Sequence, residues 1–150
     1  MIEIKRTDSG NHDFIDLVKL LDTYLAEMDG ENHSFYDQFN KVENIKYVVV
    51  AYENNLPAGC GAIKEFTSKV MEVKRMYTKP GNRRRGIAAK VLNELEDWAA
   101  EMSSDKCVLE TGKRQQEAIE FYRKNGYSVI PNYGQYAAME NSLCFEKKLR

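Results

Sequence analysis

The chain predicts an α/β (α+β) domain, a mostly antiparallel mixed sheet of about seven strands flanked by about four helices. Three observations carry this. Short strand-like runs alternate with longer runs of helical period, three strand-like runs follow one another mid-chain, and no repeat, low-complexity tract or linker divides residues 1–150. One domain is the expected number at this length. Such a chain buries roughly 70% of its unfolded surface and needs no disulfide or metal staple.

Ile2 to Arg6 alternates apolar and charged residues, the pattern of a strand. Asp13 to Met28 places Phe14, Leu17, Val18, Leu21, Leu25 and Met28 at helical spacing, with Asn11 and Asp13 as cap candidates. Ser34 to Asn40 is a short second helix in this reading. Ile45 to Tyr52 is rich in β-branched and aromatic residues and reads as a buried strand. Asn54-Asn55 supplies a turn, Ala58 to Phe66 the return strand, and Lys69 to Thr78 the third strand of a meander. After Pro80-Gly81-Asn82 a helix from Gly86 to Met102 carries Ala88, Val91, Leu92, Leu95, Ala99 and Met102 on its apolar face. Lys106 to Glu110 is a strand and Gln115 to Lys124 a helix, which Gly126 ends in the left-handed conformation. Tyr127 to Ile130 and Ser142 to Lys148 close the sheet.

Composition narrows the function. Apolar residues make up 43% and charged residues 30%, which excludes a disordered chain. Lys plus Arg is 22 against 23 for Asp plus Glu, so the net charge of -1 lacks the basic excess of a nucleic-acid binder. No run approaches the ~20 apolar residues of a membrane span, and Met1 to Gly10 has no apolar signal core. The expected compartment is the cytoplasm. Cys60, Cys107 and Cys144 are far apart and lie in apolar runs, and His12 and His33 are the only imidazoles. The cysteines read as reduced core residues, and a metal site is not expected.

The stretch from Val73 to Ala88 carries the chemistry. A strand ends, a loop holds Arg83, Arg84 and Arg85, and a helix begins at Gly86. The arginine triplet alone reads as a solvated basic loop, but the first turn of a helix has unpaired N–H groups and the positive end of the dipole, so the strand, the glycine and the helix start together favour an anion site. A dinucleotide fingerprint needs three spaced glycines where only Gly86 stands, and a P-loop fails because Arg114 follows Gly112-Lys113.

Arg83-x-x-Gly86-x-Ala88 resembles the Gln/Arg-x-x-Gly-x-Gly/Ala signature of the GNAT superfamily of acyl-CoA-dependent N-acyltransferases. The strand entering it, Glu72-Val73-Lys74-Arg75-Met76-Tyr77, is similar too. So is the block Leu109-Glu110-Thr111-Gly112, followed by Ala118 to Tyr127. Two departures stand out. Gln115 replaces the family's frequent asparagine, and Ala88 stands for the second glycine.

The resemblance implies acetyl-CoA as co-substrate, with no metal required, and an amine acceptor (small molecule or peptide); it allows a homodimer, while net charge and the lack of a long apolar run argue against nucleic acid and membrane as partners. It implies that the backbone around Met76, Tyr77 and Thr78 pairs with the pantetheine arm like an added strand. The N–H groups from Arg84 through Arg85, Gly86, Ile87 and Ala88 to Ala89 would hold the pyrophosphate, with side-chain help from Arg83 and Arg84. Arg85 stands equally for phosphate contact or solvation, and Gln115 for a polar contact to CoA.

Glu72, eleven residues before Arg83, is the general base that the resemblance implies, against a half-exposed glutamate paired with Lys74 or Arg75. Tyr122 is the implied donor to the leaving thiolate, against a core tyrosine. Tyr133 and Tyr136, with Glu140, fall in a loop that resembles the wall of the acceptor pocket. The rival reading is a non-catalytic acyl-CoA-binding or sensing module.

Overall fold

The computed structural model describes residues 1–29 and 44–149. Its strands are β1 (Ile2–Thr7), β2 (Tyr47–Glu53), β3 (Leu56–Thr67), β4 (Val70–Thr78), β5 (Lys106–Gly112), β6 (Ser128–Ile130) and β7 (Ser142–Lys148). Its α-helices are α1 (His12–Asp29), α2 (Ile87–Glu101) and α3 (Gln116–Lys124), with 3-10 turns at Pro80–Asn82 and Gly134–Tyr136. The expected helix Ser34 to Asn40 lies outside the described residues. The strands form one seven-stranded sheet in the order β1-β2-β3-β4-β5-β7-β6. Every pairing is antiparallel except β4 with β5, as the crossover through α2 requires.

Both faces of the sheet centre are covered, which is why β2 reads as a continuous apolar run. Val49 and Ala51 meet Val91, Leu92, Leu95 and Ala99 of α2 on one face. Val48 and Val50 meet Phe14 and Leu17 of α1 on the other. Each fully buried Val or Leu contributes about 1.5–3 kcal/mol relative to exposure. The cap of α1 forms as its sequence predicts, with Asn11 Oδ1 accepting from the Phe14 N–H at 3.0 Å. Asp13 accepts instead from the Tyr52 hydroxyl at 2.7 Å and ties α1 to β2. The return strand starts at Leu56 rather than Ala58. Asn54 and Asn55 both take positive φ (53° and 67°), so a tight hairpin keeps Glu53 paired with Leu56.

One irregularity positions the site. Cys60 pairs with Tyr77 and Ala62 with Lys74, so Gly61 opposes both Arg75 and Met76. This is a β-bulge, and Arg75 takes φ +60°, a conformation that costs of order 1–3 kcal/mol in a non-glycine residue. Gly61 makes room for it, because a Cβ there would collide with Met76 Sδ and stand 2.9 Å from Leu95 and Val91. Gly61→Ala therefore lowers unfolding stability by about 1–3 kcal/mol, read from the urea midpoint. An unchanged midpoint would mean that Met76 moves aside at no cost.

Candidate active site

β4 pairs with β5 only at Val70, Met71 and Glu72. Beyond Glu72 the two strands separate, because β5 continues against β7 while β4 follows β3 through the bulge. The parallel pair therefore opens into a wedge, one wall of which is the edge of β4 beyond Glu72. A cavity of about 140 Å³ fills it, lined by Glu72 to Met76 of β4, Glu110 to Gly112 of β5, Gln115, Ala118, Tyr122, Tyr136, and Leu21 and Leu25 of α1.

β4 delivers the chain to an anion cradle at the start of α2. Gly86 is the N-cap at φ +77°, with no side-chain cap and nothing within 4 Å of where a Cβ would stand. The first helical bond runs from the Lys90 N–H to the Gly86 carbonyl at 3.0 Å, so the N–H groups of Ile87, Ala88 and Ala89 precede the ladder. Arg84 takes φ +67° and is exposed. Arg83 Nε donates to the Thr78 carbonyl at 3.2 Å, and its guanidinium lies 5.7 Å from the Tyr24 ring centroid. Arg85, expected at the phosphates or in solvent, pairs with Glu53 Oε2 at 2.9 Å. Glu53 Oε1 also accepts from Asn82 at 2.7 Å. Arg85 first and Asn82 second hold the Glu53 carboxyl below its ordinary range. The end of β2 thus anchors the loop, a link that the sequence reading missed.

Within the wedge, Glu72 is buried (5% exposed) rather than half-exposed. It accepts a hydrogen bond from the Tyr133 hydroxyl at 2.7 Å. Tyr122, on α3, is also buried, with its ring edge-on to Phe121 and Tyr127. Burial, and then the Glu110 carboxylate, push its phenol far above the ordinary tyrosine value. Tyr136 lines the cavity, and burial followed by Glu110 and Glu72 raises its phenol in the same way. Glu110 accepts from Ser142 Oγ at 2.8 Å.

The three thiols are buried. Burial pushes Cys60 and Cys107 up to about 12 and Cys144 up to about 11, so none is a thiolate near neutral pH. Among the described residues no group of three His, Cys, Asp or Glu side chains could hold a metal ion. No described helix is long and apolar enough to cross a membrane.

The structure thus brings Glu72, Met76, Gln115, Tyr122 and Tyr136 around one cavity. It sets Arg83 to Ala89 at the end of the strand that walls it. Tyr77 packs on the α1 face, and Tyr133 stands beside Glu72 rather than on the cavity surface. Glu140 is exposed and lines nothing there. Sequence reasoning missed Lys74, Arg75, Glu110, Thr111 and the α1 leucines as lining residues. A signal for the bulge did exist: two glycines, Gly59 and Gly61, inside a strand mark a bulge or a close backbone approach.

The model of the acetyltransferase (GNAT) family matches residues 14–127. The chain is 33% identical over 138 residues to an IAA acetyltransferase of Azospirillum brasilense, covering 90% of each. It is 32% identical over 101 residues to the uncharacterized N-acetyltransferase YsnE of Bacillus subtilis, covering 66% of this chain and 67% of the relative. Its fold is similar to that of a Klebsiella pneumoniae chain solved as a candidate acyl-CoA N-acyltransferase, with a TM-score of 0.84, 26% identity, and coverage of 100% and 99%. The PaiA N-acetyltransferase of Thermoplasma acidophilum, solved in complex with coenzyme A, superposes with a TM-score of 0.70 at 20% identity over 99% of each chain.

Proposed function

The chain belongs to the acetyltransferase (GNAT) family, and on that premise we propose that it moves an acetyl group from acetyl-CoA to a primary amine by direct attack in a ternary complex. The observation that carries the reading is the wedge. β4 carries a buried carboxylate, Glu72, beside an edge that is open beyond it, and the chain continues past Thr78 to an uncapped helix start at Gly86, with Tyr122 lining the same cavity as Glu72.

The residues fit the co-substrate. Main-chain groups of β4 from Met76 onward would pair with the pantetheine amides. The N–H groups of Ile87, Ala88 and Ala89 would bind the pyrophosphate, with Arg83 and Arg84 alongside. The amine nitrogen attacks the thioester carbonyl carbon, and the carbon–sulfur bond then breaks. The proton lost by nitrogen passes to Glu72, directly or through one water. Negative charge developing on the carbonyl oxygen meets the Met76 N–H beside the bulge.

Tyr122 faces the leaving sulfur. An ordinary thiol has a pKa near ~8.5, and burial raises the Tyr122 phenol above the usual ~10. Full proton transfer to the thiolate is uphill, so Tyr122 serves as a hydrogen-bond donor to it. Tyr122→Phe then lowers kcat about 100-fold and leaves CoA affinity unchanged by calorimetry. A loss of stability with full turnover would make Tyr122 a packing residue only.

The test of the reaction itself is acetyl transfer across a panel of ethylamine, glycine, spermidine and a lysine-containing peptide, read as released CoA thiol. Turnover with any of these supports the enzyme. CoA binding with no turnover across such a panel would favour an acyl-CoA sensor.

A further inference from the structure

We propose that Tyr133 is the positioning residue of this site: its phenol grips Glu72 Oε2 and so turns Oε1 toward the incoming amine. The inference rests on Glu72 being the base. It departs from an acceptor-wall role for Tyr133, because Tyr136 lines the cavity and Tyr133 does not.

The geometry is specific. The two residues are 61 apart in sequence, and the bond is 2.7 Å, within the range of charge-assisted O–H···O⁻ bonds and their near neighbours. A buried carboxylate needs such a donor, since burying one without a partner is costly. Tyr133 is itself held. Its ring packs at 4.8 Å against Phe66, at the end of β3, and edge-on at 6.0 Å against Tyr136. Its backbone caps the 3-10 turn Gly134–Tyr136. Gly134 (φ +52°) lies under the Phe66 ring, which a Cβ would approach to 3.4 Å.

β3 pairs Lys64 with Glu72 two residues before Phe66. The connection between β6 and β7 is therefore clamped onto the strand beside the base, and Tyr133 is the link. Burial, then the Glu72 carboxylate, drive the Tyr133 phenol far above its ordinary value, so it stays protonated and remains the donor. With Oε2 engaged, Oε1 is the oxygen that takes the proton. A glutamate with free torsions would have to be ordered in each turnover, and the hydrogen bond removes that step.

Tyr133→Phe tests this, because it keeps the ring contacts and deletes the donor. With ethylamine, too small to depend on the acceptor wall, and with the fastest amine of the panel, kcat falls about 10- to 100-fold. The KM for acetyl-CoA stays at the wild-type value. In a Glu72→Gln background the same substitution costs nothing further. A Tyr133→Phe enzyme at full kcat beside an impaired Glu72→Gln enzyme overturns the proposal and leaves Glu72 the base. So do losses that simply add in the double variant, or a raised acceptor KM with kcat unchanged. A fully active Glu72→Gln enzyme overturns the reading of the base, and the role of Tyr133 with it.

Discussion

Gly86→Glu abolishes coenzyme A binding and leaves the fold standing. The residue sits at φ +77°, where any side chain is strained by roughly 1–2 kcal/mol. Nothing lies within 4 Å of the added Cβ, so no packed neighbour has to move. A glutamate at the N-terminus of a helix is also favoured by the dipole, which offsets part of the strain. That same placement is what ends binding. The carboxylate competes for the N–H groups of Ile87, Ala88 and Ala89 and repels the phosphates that need them. Affinity for CoA measured by calorimetry falls at least ~100-fold, equivalent to about 2.7 kcal/mol, while circular dichroism is unchanged. Gly86→Ala separates the two causes, since it carries the strain without the charge and loses far less. Unchanged CoA affinity in Gly86→Glu would mean that the start of α2 is not the anion site.

The second large effect is that of Glu72→Gln. Glutamine keeps the shape and still accepts the Tyr133 hydrogen bond through its carbonyl oxygen, so the wedge stays intact. What it loses is the capacity to take a proton. General-base catalysis of this kind is worth about 10²- to 10⁴-fold. A lysine-like amine has a pKa near ~10.4, so at pH 7 almost all of it is the ammonium and has a proton to lose. The deficit is therefore largest at low pH. Each unit of rise toward ~10 supplies about tenfold more free amine, and the variant recovers in proportion. The kcat/KM profile of the wild type carries a limb that the variant lacks. A uniform loss at every pH would assign Glu72 to substrate positioning instead.

Much of this site was legible along the chain. The signature Arg83-x-x-Gly86-x-Ala88 needs only local physics: a left-handed glycine, an uncapped helix start and a preceding strand lie within about ten residues of one another. Tyr122 was legible through a block of similar residues around it. Its ring proves to stand in a buried aromatic cluster, which raises the phenol's pKa, and under the proposed function the hydroxyl then serves as a hydrogen-bond donor rather than a proton donor. Glu72 was legible as a residue of the third meander strand, eleven before Arg83, but its burial was not.

The chain by itself determined the order of elements, their periods and hence which faces are apolar. That α1 and α2 cover opposite faces of β2 is seen in the folded chain, where the alternation of side chains on the strand divides Val48 and Val50 from Val49 and Ala51. What only the tertiary structure decided is non-local. The separation of β4 from β5 after Glu72 depends on β5 continuing along β7, some thirty residues later in the chain. The bulge at Arg75 exists because Gly61 on the neighbouring strand leaves space for Met76. The grip of Tyr133 on Glu72 joins residues 61 apart, and that of Glu53 on Arg85 joins residues 32 apart. Each depends on register between strands and on the path of a connection. Local propensity carries no information about either, since pairing energy is realised only once distant segments have been brought together.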